Sequence, residues 1–294
     1  MTVRNEASDQ EPAGGLTRAI VNYYDETWID YRWLWLNSDN LAVHFGYTDE
    51  GTRGHTDALK NMNRVLAERV AIQSGERVLD AGCGVGGSSL WLAQERNADV
   101  VGVTLAANQV AMARSNAAER GLADRVQFEQ ADYTATSFPD ASFDVVWAVE
   151  SLCHASDKAA FYREAARLLR PGGRVVVADF VRAGRPVDPV GERLLHEWLD
   201  GWAVPDIDTP DEHLAHLAAA GFTDARLDDV TAHTRPSLRR LYRMAYYTFP
   251  LAVIGHLLRI RSTVQHKNVI ASVRQYQALK RKVWFYSITS ATRP

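Results

Sequence analysis

The feature that most constrains the fold is an alternation of two patterns that begins near Gly75. From there, short apolar runs rich in valine alternate with longer stretches of helical periodicity rich in alanine and leucine. Such alternation is typical of β-α-β units arranged around a parallel sheet. The predicted strands are 76–82, 98–105, 125–132, 143–151, 174–180, 222–231 and, after a long helical stretch, 282–293.

The turn after the first strand lies in LDAGCGVGGSS (79–89), where Gly82, Gly84 and a third glycine follow the G-x-G-x-x-G spacing of dinucleotide binders. That spacing specifies only a tight turn and a close backbone approach to a ligand. Asp80 would repel a pyrophosphate at the helix N-terminus, and the next strand ends in Thr104 where an NAD binder carries an acid. Both features disfavour NAD. An aspartate there suits a ligand with an ammonium and a sulfonium, and S-adenosylmethionine carries both.

The segment VLDAGCGVGG resembles the first motif of the class I S-adenosylmethionine-dependent methyltransferases, and further likenesses follow in order. QADY stands where that family places an acid on the adenine amino group, which nominates Asp132 and its neighbour Tyr133. LLRPGGRVVVADF resembles the late helix-turn-strand, and the resemblance covers roughly 18–232. It implies an α/β, Rossmann-like class I methyltransferase fold with helical cap segments. The implied sheet has seven strands, mostly parallel with the last one antiparallel, and the implied cofactor is S-adenosyl-L-methionine, bound at the glycine turn.

A finer resemblance concerns two other segments. VVGVTLAANQ is similar to the cyclopropane-lipid synthases and the tocopherol and sterol C-methyltransferases, in which a threonine and a glutamine, here Thr104 and Gln109, replace the usual ribose acid. VNYYDETWIDYRWLW followed by HFGY resembles the N-terminal segment of the same group. One tyrosine of its first pair helps to close over the cofactor, a role carried to Tyr24, with Tyr23 as second choice and as an acceptor contact. VVWAVESLCH is also similar to O-methyltransferases of natural-product sugars.

Glu150 and His154 are the candidate catalytic residues. They fall at and just past the carboxyl end of the fourth strand, where a doubly wound sheet places its active crevice. With an alkene acceptor, a Glu150 carboxylate can stabilise a carbocation and remove a proton. With a hydroxyl acceptor, His154 is the better base. Glu150 resembles the base of isoprenoid C-methyltransferases, which favours carbon, although a helix-capping glutamate and a structural histidine are plain alternatives.

The helical stretch 235–282 is long for a loop, so we expect it to have its own structure and to cover the acceptor. YYTFPLAVIGHLL offers an apolar wall for a lipid-like acceptor, including Tyr246 and Phe249. Arg239 and Arg243 lie on one helix face and could receive a diphosphate, with Mg²⁺ expected only in that case. A packing helix, an oligomer contact and a solvated arginine face remain the alternatives.

Composition limits the remaining classes. The 294 residues carry a formal net charge of -3, so nothing global favours nucleic acid, and two cysteines fit a reducing cytoplasm. Stable membrane insertion is not expected, because the most apolar run is shorter than a membrane span. We expect a small-molecule acceptor and leave a homo-oligomer open. The expected segments are a disordered tail 1–17, an N-terminal helical cap 18–74, a cofactor-binding core 75–234, a helical insertion 235–282 and a final strand 283–294.

The sequence therefore predicts an S-adenosylmethionine-dependent methyltransferase without a resident metal, acting on a small, largely apolar acceptor. C-methylation of an isoprenoid or lipid-like specialised metabolite stands first. An O- or N-methyltransferase of a natural product is the alternative. A cofactor-binding protein or cyclase that transfers no methyl group is a further one, because fold does not fix function.

Overall fold

The architecture is a central sheet with helices on both faces, seen in a computed structural model that describes residues 14–34 and 41–294. Seven strands of these ranges form one sheet in the order β3-β2-β1-β4-β5-β7-β6. Both neighbours of β7 pair with it antiparallel, and the other pairs are parallel, which confirms the predicted sheet. The strands are β1 Arg77–Ala81, β2 Asp99–Thr104, β3 Val126–Gln130, β4 Phe143–Val149, β5 Leu169–Arg182, β6 Thr223–Asp229 and β7 Trp284–Thr292.

Helices of the described ranges alternate with these strands and add a cap on one side. Those that alternate with the strands are α2 His55–Arg69, α3 Gly87–Arg96, α4 Ala107–Glu119, α5 Lys158–Leu168 and α7 Pro210–Ala219. The cap consists of α1 Gly14–Leu34, α6 Pro189–Gly201, α8 Thr231–Leu257 and α9 Thr263–Lys280.

Three local expectations differ from the structure. The helix expected in 158–173 ends at Leu168, because the following residues already pair with β4, starting with Leu169 opposite Phe143. Helix α6 was not predicted. The first helix begins at Gly14, so residues 14–17 of the expected tail are helical, and residues 1–13 lie outside the described part.

The sequence of helix α6 contains helix start signals, although the strand pattern around it was the stronger signal. Asp188 caps it by accepting hydrogen bonds from the backbone N–H groups of Val190 and Gly191, and Pro189 opens its first turn. Leu195 and Trp198 bury its inner face. The helix thereby fixes one wall of the cap.

The cap packs on the sheet through aromatic rings. Phe180 of β5 lies edge-on to Trp198, Trp284 and Tyr286, with ring centroids 5.2–5.7 Å apart. Such edge-to-face pairs add to the burial of large apolar surfaces. The expected insertion is built as α8 and α9, and α8 continues through two internal prolines. In the described ranges, no helix has the combination of length and hydropathy that a membrane span requires.

Candidate active site

The turn between β1 and α3 requires glycine for space as well as for conformation. Gly82 has φ 92°, and a Cβ there would lie 2.3 Å from the Cβ of Ser151. Gly84 also has a positive φ, of 54°. L residues rarely adopt this region, so both positions favour glycine, and the missing Cβ of Gly82 lets the end of β1 approach the segment after β4.

A first cavity, which we call the glycine-turn cavity, opens beside this turn at the carboxyl ends of the strands. Seven predicted cofactor residues line it, which places them together as the sequence indicated. They are Tyr24, Asp80, Gly82, Gly84, Thr104, Gln109 and Tyr133.

Asp80 is the acidic group of this cavity. It is 2% exposed, and its Oδ2 accepts a hydrogen bond of 2.5 Å from Ser89 Oγ. Burial raises the pKa of Asp80 to about 6. A cation brought beside this carboxyl would favour its ionised form, so the residue fits the ammonium end of S-adenosylmethionine.

Thr104 and Gln109 form the second polar pair of the cavity. Thr104 Oγ1 donates a hydrogen bond of 2.7 Å to Gln109 Oε1, and both side chains are buried. The bond joins the end of β2 to the first turn of α4. This arrangement fits the ribose-binding role that the resemblance implies, and the role stays a prediction.

Asp132 follows the end of β3, as the sequence indicated, but its side chain does not face the glycine-turn cavity. Its side chain is exposed and is absent from the lining of the cavity. Its Oδ1 accepts hydrogen bonds from the backbone N–H and the hydroxyl of Thr134, so the carboxylate stabilises its own turn. Tyr133 is buried instead, and its hydroxyl donates to the carbonyl of Ser151 at 2.7 Å.

A second cavity, of about 320 Å³, lies under the cap, and we call it the cap cavity. Its walls are mostly apolar and come from α1, the segment 43–45, the end of β4, α8 and α9. Tyr23, the predicted acceptor contact, is among the residues that line it, and its role stays a prediction. The two cavities share Tyr24, Val43, His44, Glu150 and His154.

Tyr24 and His154 meet at this junction. The Tyr24 hydroxyl lies 3.0 Å from His154 Nε2, and His154 Nδ1 lies 3.2 Å from the carbonyl oxygen of Ala203. A carbonyl only accepts, so Nδ1 carries the proton and Nε2 offers a lone pair to Tyr24. Burial lowers the pKa of His154 to about 4, which keeps the imidazole neutral near pH 7.

Glu150 is held from two sides. Its Oε1 accepts hydrogen bonds from the backbone N–H of Phe45 at 2.6 Å and from the hydroxyl of Tyr286 at 2.8 Å. Its backbone has φ 49°, the left-handed region that non-glycine residues seldom occupy outside constrained sites. Burial raises its pKa to about 8, so without a neighbouring cation the carboxyl is largely protonated at pH 7.

The predicted acceptor contacts on α8 are not in the cap cavity. Arg239, Arg243, Tyr246 and Phe249 are exposed and do not line it. Helical geometry explains the difference, because the cavity is lined by the opposite face of the same helix. That face carries Leu241, Met244, Ala245, Thr248, Leu251 and Ala252.

Several lining residues were not singled out in the sequence. Asp30, Arg261 and Asn268 place polar groups in the cap cavity, and His44 lines both cavities. His44 stands in the HFGY segment, which the resemblance had marked only as a block. Asp30 lies in the N-terminal segment that resembles the C-methyltransferases without being singled out there, and Arg261 and Asn268 belong to no motif. Among the described residues, no three histidine, cysteine, aspartate or glutamate side chains are grouped so as to hold a metal ion.

The glycine turn with Asp80, the Thr104–Gln109 bond and the adjoining apolar cavity together define a Rossmann-like methyltransferase site. Residues 79–177 match the family described as "Methyltransferase domain". The 27-O-demethylrifamycin SV methyltransferase of Amycolatopsis mediterranei (strain S699) is 38% identical over 206 residues, which are 69% of this chain and 73% of that one.

The chain belongs to the S-adenosylmethionine-dependent methyltransferase family, and its cofactor is S-adenosyl-L-methionine. Among solved structures, the 4+2 cyclase SpnF is 28% identical with a TM-score of 0.76, covering 95% of this chain and 96% of that one. A geranyl diphosphate methyltransferase in complex with GPP and sinefungin shares the fold, with 21% identity, a TM-score of 0.75 and coverage of 95% and 100%.

Proposed function

We propose that the protein transfers a methyl group to a hydroxyl oxygen of a neutral, largely apolar natural product. The observation that carries the proposal is the hydrogen bond between Tyr24 and His154, at the junction of the two cavities. A methyl group passing from one cavity to the other passes this pair. Such a displacement requires the protein to position the methyl acceptor and to provide one group that takes up the proton.

The pair offers a route for the proton. S-adenosylmethionine, when bound, supplies the electrophilic methyl group. As the acceptor oxygen bonds to that carbon and the carbon–sulfur bond breaks, the hydroxyl proton moves to Tyr24 Oη while the Tyr24 proton moves to His154 Nε2. One positive charge is present before and after the step, which eases formation of an imidazolium at a buried histidine.

The charges of the cap cavity favour a neutral acceptor. Among the described residues that line it, the one cation of a Lys or Arg side chain is Arg261, which pairs with Asp30 at 2.7 Å. A diphosphate would lack a free cationic partner there, since the predicted Arg239 and Arg243 face away from the cavity. The rifamycin-type relative, named for a substrate that lacks an O-methyl group, supports oxygen as the acceptor atom.

Carbon methylation of an alkene is the second candidate, and the position of Glu150 favours it. Glu150 lines both cavities and is held by Phe45 and Tyr286, so a carboxylate there would face a developing carbocation. This role requires the ionised form. Because burial raises the pKa of Glu150, carbon methylation is expected to gain rate as the pH rises toward about 8.

The test is release of S-adenosylhomocysteine from a defined panel, with the product located by mass spectrometry and NMR. The panel holds a hydroxylated macrolide aglycone, a tocopherol-like phenol, a sterol and prenyl diphosphates with and without Mg²⁺. Turnover on hydroxylated compounds alone supports O-methylation. Turnover on an alkene or a diphosphate overturns it in favour of carbon. Tight cofactor binding with rearrangement of a substrate but no S-adenosylhomocysteine would point to the cyclase alternative that the likeness to SpnF raises.

A further inference from the structure

We propose that the end of the cap cavity away from Tyr24 is a second binding subsite, in which Arg261 and Asn268 hold a neutral oxygen of the acceptor. This inference rests on the proposed function, which places the reacting hydroxyl at Tyr24. It adds a substrate class: apolar molecules that carry a second hydrogen-bonding oxygen at the end away from the methylated one.

The spacing comes from helix α1. Tyr23 and Asp30 are seven residues apart and lie on one face of the helix, two turns from each other. At a rise of about 1.5 Å per residue, the backbone positions of Tyr23 and Asp30 are roughly 10 Å apart along the helix axis. Tyr23, Tyr24 and Asp30 all line the cap cavity, so the cavity extends along the helix between these two points.

A chain of polar side chains runs from Tyr23 to the far end. Tyr23 Oη donates to Asn268 Oδ1 at 3.1 Å, Asn268 Nδ2 lies 3.4 Å from Asp30 Oδ2, and Arg261 Nη2 donates to the same oxygen at 2.7 Å. Asn268 is 8% exposed. The surrounding wall is apolar, with Met244 and Val269 among its members. Polar groups in such a wall fix the orientation of a ligand.

Arg261 has a hydrogen-bond donor to spare. Its Nε is buried and has no hydrogen-bond partner among the described residues. A buried donor without a partner destabilises the folded state, and an acceptor oxygen would relieve this. Asp30 already neutralises the guanidinium, so the ligand group needs no charge; a carbonyl, ether or hydroxyl oxygen suffices.

The position of Arg261 is set by α8. A Cβ on Gly255 would lie 3.3 Å from Cγ and Cδ of Arg261, so the arginine stem rests on the helix where a glycine leaves room. Its backbone N–H also donates to the carbonyl of Gly255 at 3.1 Å. A side chain fixed in this way loses little conformational freedom when it binds a ligand.

The experiment compares 1,8-octanediol with 1-octanol, two probes that differ by one terminal hydroxyl. Binding is measured by calorimetry in the presence of S-adenosylhomocysteine, so that no methyl transfer is needed. We expect the wild-type protein to bind the diol about tenfold more tightly, the factor expected of one added hydrogen bond. Arg261→Met is expected to remove this preference and to keep the affinity for 1-octanol.

Arg274→Met is the matched control, because Arg274 of α9 pairs with Glu197 and does not line the cavity. It should keep the diol preference. Equal binding of both probes by the wild type, or a preference that survives Arg261→Met, overturns the subsite. If Arg261→Met no longer binds 1-octanol, Asn268→Ala is measured instead. It should likewise lose the diol preference and keep the affinity for 1-octanol.

A failure of the proposed function can be distinguished from a failure of the subsite. Replacing S-adenosylhomocysteine by S-adenosylmethionine tests transfer to the same probes. A diol preference without any ether product leaves the subsite standing and counts against O-methylation.

Discussion

At the scale of single residues, His154 depends on the bond made by its other ring nitrogen. Because the carbonyl of Ala203 accepts from Nδ1, the tautomer is fixed and Nε2 faces Tyr24 as an acceptor. The lowered pKa keeps that lone pair available down to about pH 4. Glu150, four residues earlier, is shifted in the opposite direction by the same burial, because burial disfavours whichever form carries the charge.

Three substitutions separate the two chemistries. For O-methylation, His154→Ala should lower kcat about 100-fold or more, since a positioned proton acceptor contributes that much. Tyr24→Phe should lower kcat in the same direction, and Glu150→Gln by less than about tenfold. The rates are measured as S-adenosylhomocysteine release at saturating cofactor, with cofactor affinity as the control for folding. A crippled Glu150→Gln beside a mildly affected His154→Ala would contradict oxygen as the acceptor.

The raised pKa of Glu150 also leads to a prediction about how the stability of the protein depends on pH. Its pKa of about 8 in the folded protein lies above the ordinary value of 4.5, so the folded state holds the proton more tightly than the unfolded state. Its contribution is therefore fully present below about pH 4.5 and is lost as the pH rises toward 8. Glu150→Gln does not titrate, so without cofactor its stability relative to the wild type should improve by about 1–3 kcal/mol between pH 5 and 8.5.

Denaturant unfolding at the two pH values measures this, and Glu164→Gln is the control of opposite sign. Hydrogen bonds from Arg167 and Thr136 lower the pKa of Glu164, so its contribution is present above the ordinary value and is lost only in acid. The effect of Glu164→Gln should stay nearly constant from pH 5 to 8.5. A pH-independent difference for Glu150→Gln as well would show that its carboxyl is ionised in the folded protein.

At the scale of elements, the cap depends on close contact between α6 and α9. A Cβ on Gly201 would lie 2.7 Å from Ala271 Cβ and 2.8 Å from the carbonyl oxygen of Lys267. Gly201→Ala should therefore push the helices apart and reduce the free energy of unfolding by about 1–2 kcal/mol, despite the better helix propensity of alanine. Gly184→Ala, where a Cβ meets nothing within 4 Å, is the control and should be nearly neutral. Equal stability of the two variants would mean that the α6–α9 contact adapts freely.

Elements with strong local patterns could be predicted, and the orientation of one helix face could not. Valine-rich runs and the glycine turn gave the strands and the place of Asp80, because those features depend on nearby residues. On α8, the pattern put Arg239 and Arg243 on one face, yet that face points to solvent, and Tyr246 of the predicted apolar wall is exposed as well. Both faces of α8 carry apolar residues, so only its packing against α9 decides which one lines the cavity.

The polar end of the cap cavity could not be predicted for a different reason. Asp30 is more than two hundred positions from Arg261 and Asn268, and the three gain meaning only when α1 lies on α9. For Asp132, by contrast, the sequence predicted the position but not the hydrogen bonds of the side chain. Its motif position was right, but its local turn with Thr134 engages the carboxylate.

At the scale of the whole molecule, α1 joins the two binding sites. Its residues Ile20, Tyr24 and Trp28 line the glycine-turn cavity, while Tyr23 and Asp30 line the cap cavity. Helix α1 is held to the rest of the cap by Asp30–Arg261 and by Gln265, whose side chain donates to the carbonyl of Glu26 at 2.9 Å. A ligand that orders α1 in one cavity therefore prepares the wall of the other.

This shared wall predicts reciprocal coupling between cofactor and acceptor. A ligand that contacts α1 in one cavity stabilises the wall of the other, so each ligand should tighten the binding of the other about five- to tenfold. Calorimetry with S-adenosylhomocysteine and 1,8-octanediol measures both factors, which must agree because the cycle is closed. Asp30→Asn weakens the hold of α1 on the rest of the cap without altering the glycine-turn cavity, so it should reduce the coupling more than either single affinity. Independent binding in the wild type would show that α1 is already fully ordered before either ligand arrives.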